Sequence, residues 1–104
     1  MGLRNYLDQF TNQFENEKKI TYTQIKNAFE RFRYADANLK LATNNIELLH
    51  EAFINGVADN QDLILGENDL YENQATYYNE LLELILNEIE GLRVAGSFNK
   101  QAGL

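Results

Sequence analysis

The chain contains no cysteine, no proline and no tryptophan, and it has one histidine, one serine and one methionine in 104 residues. Without cysteine there is no disulfide and no thiolate metal site, and the redox compartment stays open. The lone serine, Ser97, rules out a Ser/His/Asp set. The lone histidine, His50, leaves little acid–base chemistry beyond isolated carboxylates. The six glycines are scattered and form no phosphate-binding loop. This points to a protein that is not an enzyme and needs no cofactor.

Long apolar runs are also missing. The richest stretch, "LLELILNEIEGL", is interrupted by Glu and Asn and falls short of the roughly 18 residues of a membrane span. The start, "MGLRNYLDQF", has Asp8 and Gln9 where a signal peptide needs an apolar core, and Tyr6 where myristoylation wants Ser or Thr. The expectation is a soluble chain that does not enter a membrane, in the cytoplasm or in a virion.

Positive charge is absent from residues 41–92, which hold eleven Asp or Glu and no Lys or Arg. Residues 1–40 hold seven Lys or Arg against five acids, and the whole chain carries a net charge of −7. Phosphate backbones repel such a protein, so nucleic acid is not an expected partner. The basic band from Lys18 to Lys40 reads as a counter-charge to the acidic half.

The absence of proline suits long helices, because proline removes a hydrogen bond and clashes with the preceding turn. Leu3, Leu7, Phe10 and Phe14 make one apolar stripe, which predicts a short helix over about 3–16, ended by the charged "ENEKK". Thr21 and Gln24 fit a capping box at the start of a second helix, about 22–55. In it Ile25, Phe32, Leu39, Ile46 and Phe53 recur every seven residues, with Ala28, Ala35, Ala42 and Leu49 beside them. That repeat is the mark of coiled-coil packing against another helix.

Gly56 is placed to end this helix. "VADNQDLILGEN" then reads as a connection, with Leu63, Ile64 and Leu65 covering the end of the core. Asp69 and Glu72 form a second capping box, and the third helix runs over about 68–93, before Gly96. Residues 97–104 read as a tail, flexible or held by a partner. The expected fold is one all-α domain, 1–104, in which the second and third helices form an antiparallel hairpin. Its size and plan resemble the small secreted helical-hairpin proteins that carry Trp-x-Gly in the bend. Here the bend reads "INGVADN", with Gly56 but no tryptophan.

Two clusters qualify as candidate chemistry. Glu47 and His50 form a Glu-x-x-His pair, half of the ligand set used in carboxylate di-metal bundles. With Ile46, Leu49 and Phe53 facing the core, however, His50 falls at its margin and Glu47 points away, so the two do not converge. Asp36 and Glu88 lie beside the apolar columns, and a hairpin folded around residue 62 sets them opposite each other. It also sets Lys40 near Glu83 and Arg33 near Glu90. Facing carboxylates make an acid pair, a metal seat, or a polar layer that fixes helix register.

The third helix carries the clearest sign of a partner. Leu81, Leu82, Leu84, Ile85, Leu86, Ile89 and Leu92 spread over about 200° of the helical wheel, more than one neighbouring helix covers. Tyr78, Leu82, Leu86 and Ile89 are the candidate interface residues. Of the adjacent Tyr77 and Tyr78, one should face inward and the other a rim. The expected function is a helical assembly protein that forms a homo-oligomer or packs into a larger particle, such as a bacteriophage virion or scaffold. The alternatives are an acidic helical module that binds another protein and, behind it, a di-metal carboxylate protein.

Overall fold

A computed structural model of the protein describes residues 2–101, with side chains from 2 to 96. Among the described residues there are two α-helices and no strand: α1, Gly2–Ile54, and α2, Asn60–Gln101. The all-α hairpin is as expected, but it is built from two helices, not three.

The helix expected over 3–16 does not stop at "ENEKK"; it runs on into the next one. A break in the apolar stripe changes what a helix faces, not whether it forms. Glu and Lys are good helix formers, and no Gly or Pro occurs between residues 3 and 55. Thr21 is therefore no cap. It lies inside α1 and is buried.

Gly56 does end α1. Its φ of +74° is left-handed, the region that glycine enters without cost. Around it the Gly56 amide donates to the Phe53 carbonyl at 3.1 Å and the Val57 amide to the Ala52 carbonyl at 2.8 Å. This double bond pattern is a Schellman motif, and it satisfies carbonyls that the last turn leaves open.

α2 begins eight residues before the expected start, because the capping box is Asp59 with Asp62, not Asp69 with Glu72. The Asp62 amide donates to Asp59 Oδ1 at 2.9 Å, and the Asp59 amide donates to Asp62 Oδ2 at 3.0 Å. Both short acids suit the positive end of the helix dipole. Asp69 lies inside α2, where its carbonyl accepts from Asn73 Nδ2 at 2.8 Å. "LILGEN" is thus helical, and α2 also passes through Gly91 and Gly96. A single helical glycine costs about 1 kcal/mol relative to alanine, which lowers helix stability without ending it. The expected tail at 97–104 lies outside the residues whose side chains are described.

The chain divides into two compact units, residues 30–82 and residues 1–29 with 83–104. In the first of these, Ala35, Ala42 and Ile46 of α1 are buried, as is Leu63 of α2, and Phe32 meets Tyr77 with ring centroids 5.3 Å apart. Leu49 and Ile46 lie against Gly66. In the other unit Thr21 and Ala28 are buried, as are Leu84 and Val94, and Ile25 lies against Gly91.

Both helices show a seven-residue pattern of burial. On α1 the buried or half-buried positions include 21 and then 25, 28, 32, 35, 39, 42, 46 and 49, which belong to the two columns read from the sequence; 14, 30, 36 and 52 are half-buried besides. Phe53, expected to extend one of them, is exposed. On α2 the corresponding positions are 63, 66, 70, 73, 77, 80, 84, 87, 91 and 94, with 67, 74, 81 and 90 half-buried beside them. This seam is not the leucine-rich one. It includes Gly66, Asn73, Glu80, Asn87 and Gly91, and it leaves Ile64, Leu65, Ile85 and Leu92 exposed.

Small side chains explain the choice. An alanine column on α1 lets a second backbone approach closely, and glycines at 66 and 91 let it come closer still. The seam asparagines are satisfied locally: Asn87 Nδ2 donates to the Glu83 carbonyl at 2.7 Å, as Asn73 does to Asp69.

Candidate functional site

With Gly66, Asn73, Glu80, Asn87 and Gly91 among the positions turned to α1, α2 carries further large apolar side chains elsewhere. Tyr71, Ala75, Tyr78, Leu82, Ile85, Ile89 and Leu92 follow one another at spacings of 4, 3, 4, 3, 4 and 3. That is a second complete heptad seam on the same helix. At about 100° per residue it lies roughly 150° around from the first. The larger members are all exposed, Tyr78 at 66%, Leu82 at 53% and Ile89 at 56%, and Leu86 flanks them at 49%.

Of the four candidate interface residues, Tyr78 and Leu82 are exposed on α2 in the unit of residues 30–82, and Leu86 and Ile89 are exposed on α2 in the other unit. Tyr71 and Ala75 are exposed beside the first two, and Ile85 and Leu92 beside the others. The signal for them was present in the sequence as spacing. Tyr77 and Tyr78 divide as expected: Tyr77 packs inward on Phe32, and Tyr78 meets it edge-on at 5.4 Å.

Charges border this face. Arg93 binds Glu90 on the next turn, with Nε donating to Oε2 at 2.9 Å. The hydrogen-bonded Arg93 guanidinium holds the Glu90 carboxyl below its ordinary range, and Glu90 in turn raises Arg93. Glu67, Glu72 and Glu88 lie along the edges and are not neutralised by any Lys or Arg between residues 41 and 92.

The remaining candidates fall elsewhere. Glu47 and His50 are both exposed on α1. Asp36 belongs to one unit and Glu88 to the other. Asp36 accepts from Lys40 Nζ at 3.0 Å, one turn away, and lines a shallow groove with Tyr77. Glu88 borders an open groove of about 660 Å³ beside Lys18, Tyr22, Ile25 and Leu92. Among the described residues no three His, Cys, Asp or Glu side chains group as a metal site.

The bend accounts for the changed ion pairs. The chain turns at Gly56, not at residue 62, so Arg31 faces Glu80, with Nε 3.2 Å from Oε2. Arg33 lies 3.9 Å from Glu30 on its own helix, and Lys40 is taken by Asp36.

No described helix is long and apolar enough to cross a membrane. Comparison with protein-family models, with curated proteins and with solved structures finds no match to the chain.

Proposed function

We propose that this chain is a non-enzymatic helical assembly protein, a subunit that associates through the outer face of α2 into a homo-oligomer or a larger particle. A bacteriophage virion or scaffold is a setting that suits such a subunit. The observation that carries this reading is the second heptad seam, whose large side chains remain in water. Scattered surface leucines are ordinary, but a contiguous apolar stripe marks a contact surface. Each such side chain contributes roughly 1.5–3 kcal/mol when fully covered.

Light scattering over a hundredfold dilution tests the proposal, with Leu86→Lys run beside the parent chain. Self-association gives a mass above 12.0 kDa that persists on dilution and falls to the monomer in Leu86→Lys. A parent chain that is monomeric throughout removes the proposal.

The uninterrupted negative charge of residues 41–92 favours a second reading, an acidic module that covers a basic surface on another protein. That module stays monomeric alone, and its affinity for a basic partner falls steeply with salt.

A further inference from the structure

We propose that the unit of residues 1–29 with 83–104 is a clamp, whose two arms part and close again while residues 30–82 stay folded. This goes beyond the assembly reading and does not depend on it. Chain connectivity, burial and the fastening of the helix ends carry it.

Connectivity sets the direction of dependence. Residues 30–82 are one continuous stretch that contains its own bend, so its two helical segments meet across a short loop. Residues 1–29 and 83–104 are joined to each other only through that stretch. A contact such as Ile25 on Gly91 therefore closes a long loop unless the bend unit has already folded. The bend unit can hold without the clamp, but the clamp cannot hold without the bend unit.

Burial sets the order of strength. On α1 four of the 28 residues from 2 to 29 are buried or half-buried, against nine of the 23 residues from 30 to 52. A segment with few buried contacts opens at low free energy while the rest of a protein stays native. The helix ends differ in the same sense. The Gly56 motif and the Asp59–Asp62 box fasten two helix ends within 30–82, which also holds the Arg31–Glu80 ion pair and the Phe32–Tyr77 contact. In the clamp, α1 begins with no acid in its first turn, and the arm of α2 carries two glycines, Gly91 and Gly96. Most helical stability in proteins comes from packing, so parted arms lose amide hydrogen bonds as well as contacts. Parting also uncovers Ile25, Ala28, Leu84 and Val94, apolar surface that the closed clamp withholds.

Hydrogen exchange of the full chain, read by mass spectrometry in dilute solution, tests this. Peptides from 5–25 and 85–96 should exchange about tenfold or more faster than those from 35–52 and 63–80. Val94→Asp puts a charge at a position 6% exposed in the clamp. It should speed exchange in both arms and leave 35–52 and 63–80 within about threefold of the parent. Ala42→Asp puts the same charge at a position 4% exposed in the bend unit, and it should remove protection from both units. Uniform protection along the parent chain overturns the proposal, because the two units then open as one. So does a Val94→Asp chain that loses protection equally in both units, or in neither. An Ala42→Asp chain whose arms stay protected overturns the one-way dependence and the clamp with it.

Discussion

Leu49 Cδ1 of α1 occupies the space that a Cβ on residue 66 of α2 would need. Ile46 Cδ1 stands behind it, 3.1 Å from the same point. Glycine at 66 is thus the condition under which two aliphatic side chains of α1 reach the backbone of α2.

A methyl group at this site is expected to do harm. Gly66→Ala gains about 1 kcal/mol of helix propensity but forces Leu49 out of place, and overpacking of this kind costs about 1–3 kcal/mol. The net expectation is a loss of about 1 kcal/mol in urea unfolding. At Gly91 the nearest atoms are Ile25 Cδ1 at 3.0 Å and Thr21 Cγ2 at 3.5 Å, which need give only slightly. Gly91→Ala should therefore fall within about 0.5 kcal/mol of the parent, the two effects offsetting each other. Equal losses at both sites would contradict this account.

The two sides of the bend should respond separately. Gly56→Ala places a side chain at φ +74° and should cost about 1 kcal/mol, with m unchanged. Asp59→Ala removes the acceptor of the Asp62 amide and should also cost about 1 kcal/mol. Asp59→Asn keeps that acceptor and should recover most of the loss.

The Glu90–Arg93 pair predicts a direction with pH. The folded Glu90 carboxyl titrates below its ordinary 4.5, so the pair's contribution is present above that value. It is lost as pH falls through the lowered folded value. NMR titration of the Glu90 side chain should show the depressed midpoint, and Arg93→Gln should return it toward 4.5. Both side chains are in contact with water, so the midpoint rather than the melting temperature is the quantity to follow.

Arg31 and Glu80 form an ion pair between the helices, with side chains 51% and 24% exposed. A double-mutant cycle of Arg31→Ala and Glu80→Ala should give a coupling of about 0.2–1 kcal/mol that shrinks in high salt. The same cycle on Lys40 and Glu83, the pair that a bend at residue 62 would have made, should give none.

Much of α1 was legible in the sequence because its signal is one-sided. The columns Ile25–Phe32–Leu39–Ile46 and Ala28–Ala35–Ala42 have no competitor, and Gly56 stops the helix where only glycine is comfortable. The errors have physical causes. The charges of "ENEKK" interrupt a stripe without interrupting a helix, so a pattern of burial was taken for a pattern of backbone. Asp59 and Asp62 are both acids, and the Asp-x-x-Asp box they form is less conspicuous than Asp69 with Glu72.

The face that α2 turns to α1 was the least legible part. Hydrophobicity points to Leu82, Ile85, Ile89 and Leu92, whereas close backbone approach selects Gly66, Asn73, Glu80, Asn87 and Gly91. Tyr78, Leu82, Leu86 and Ile89, named as candidate interface residues from the sequence, are exposed. They were read as a surplus, without the spacing that makes a seam.

The alanine column has a thermodynamic consequence. Ala28, Ala35 and Ala42 fill the interior with the smallest apolar side chains, while leucine, isoleucine and tyrosine remain in contact with water. The hairpin thus leaves unused most of the transfer free energy its sequence carries. Any body that covers the outer face of α2 supplies that free energy to the folded state alone. Melting temperature then becomes a function of protein concentration, and the cold limit of stability moves with it.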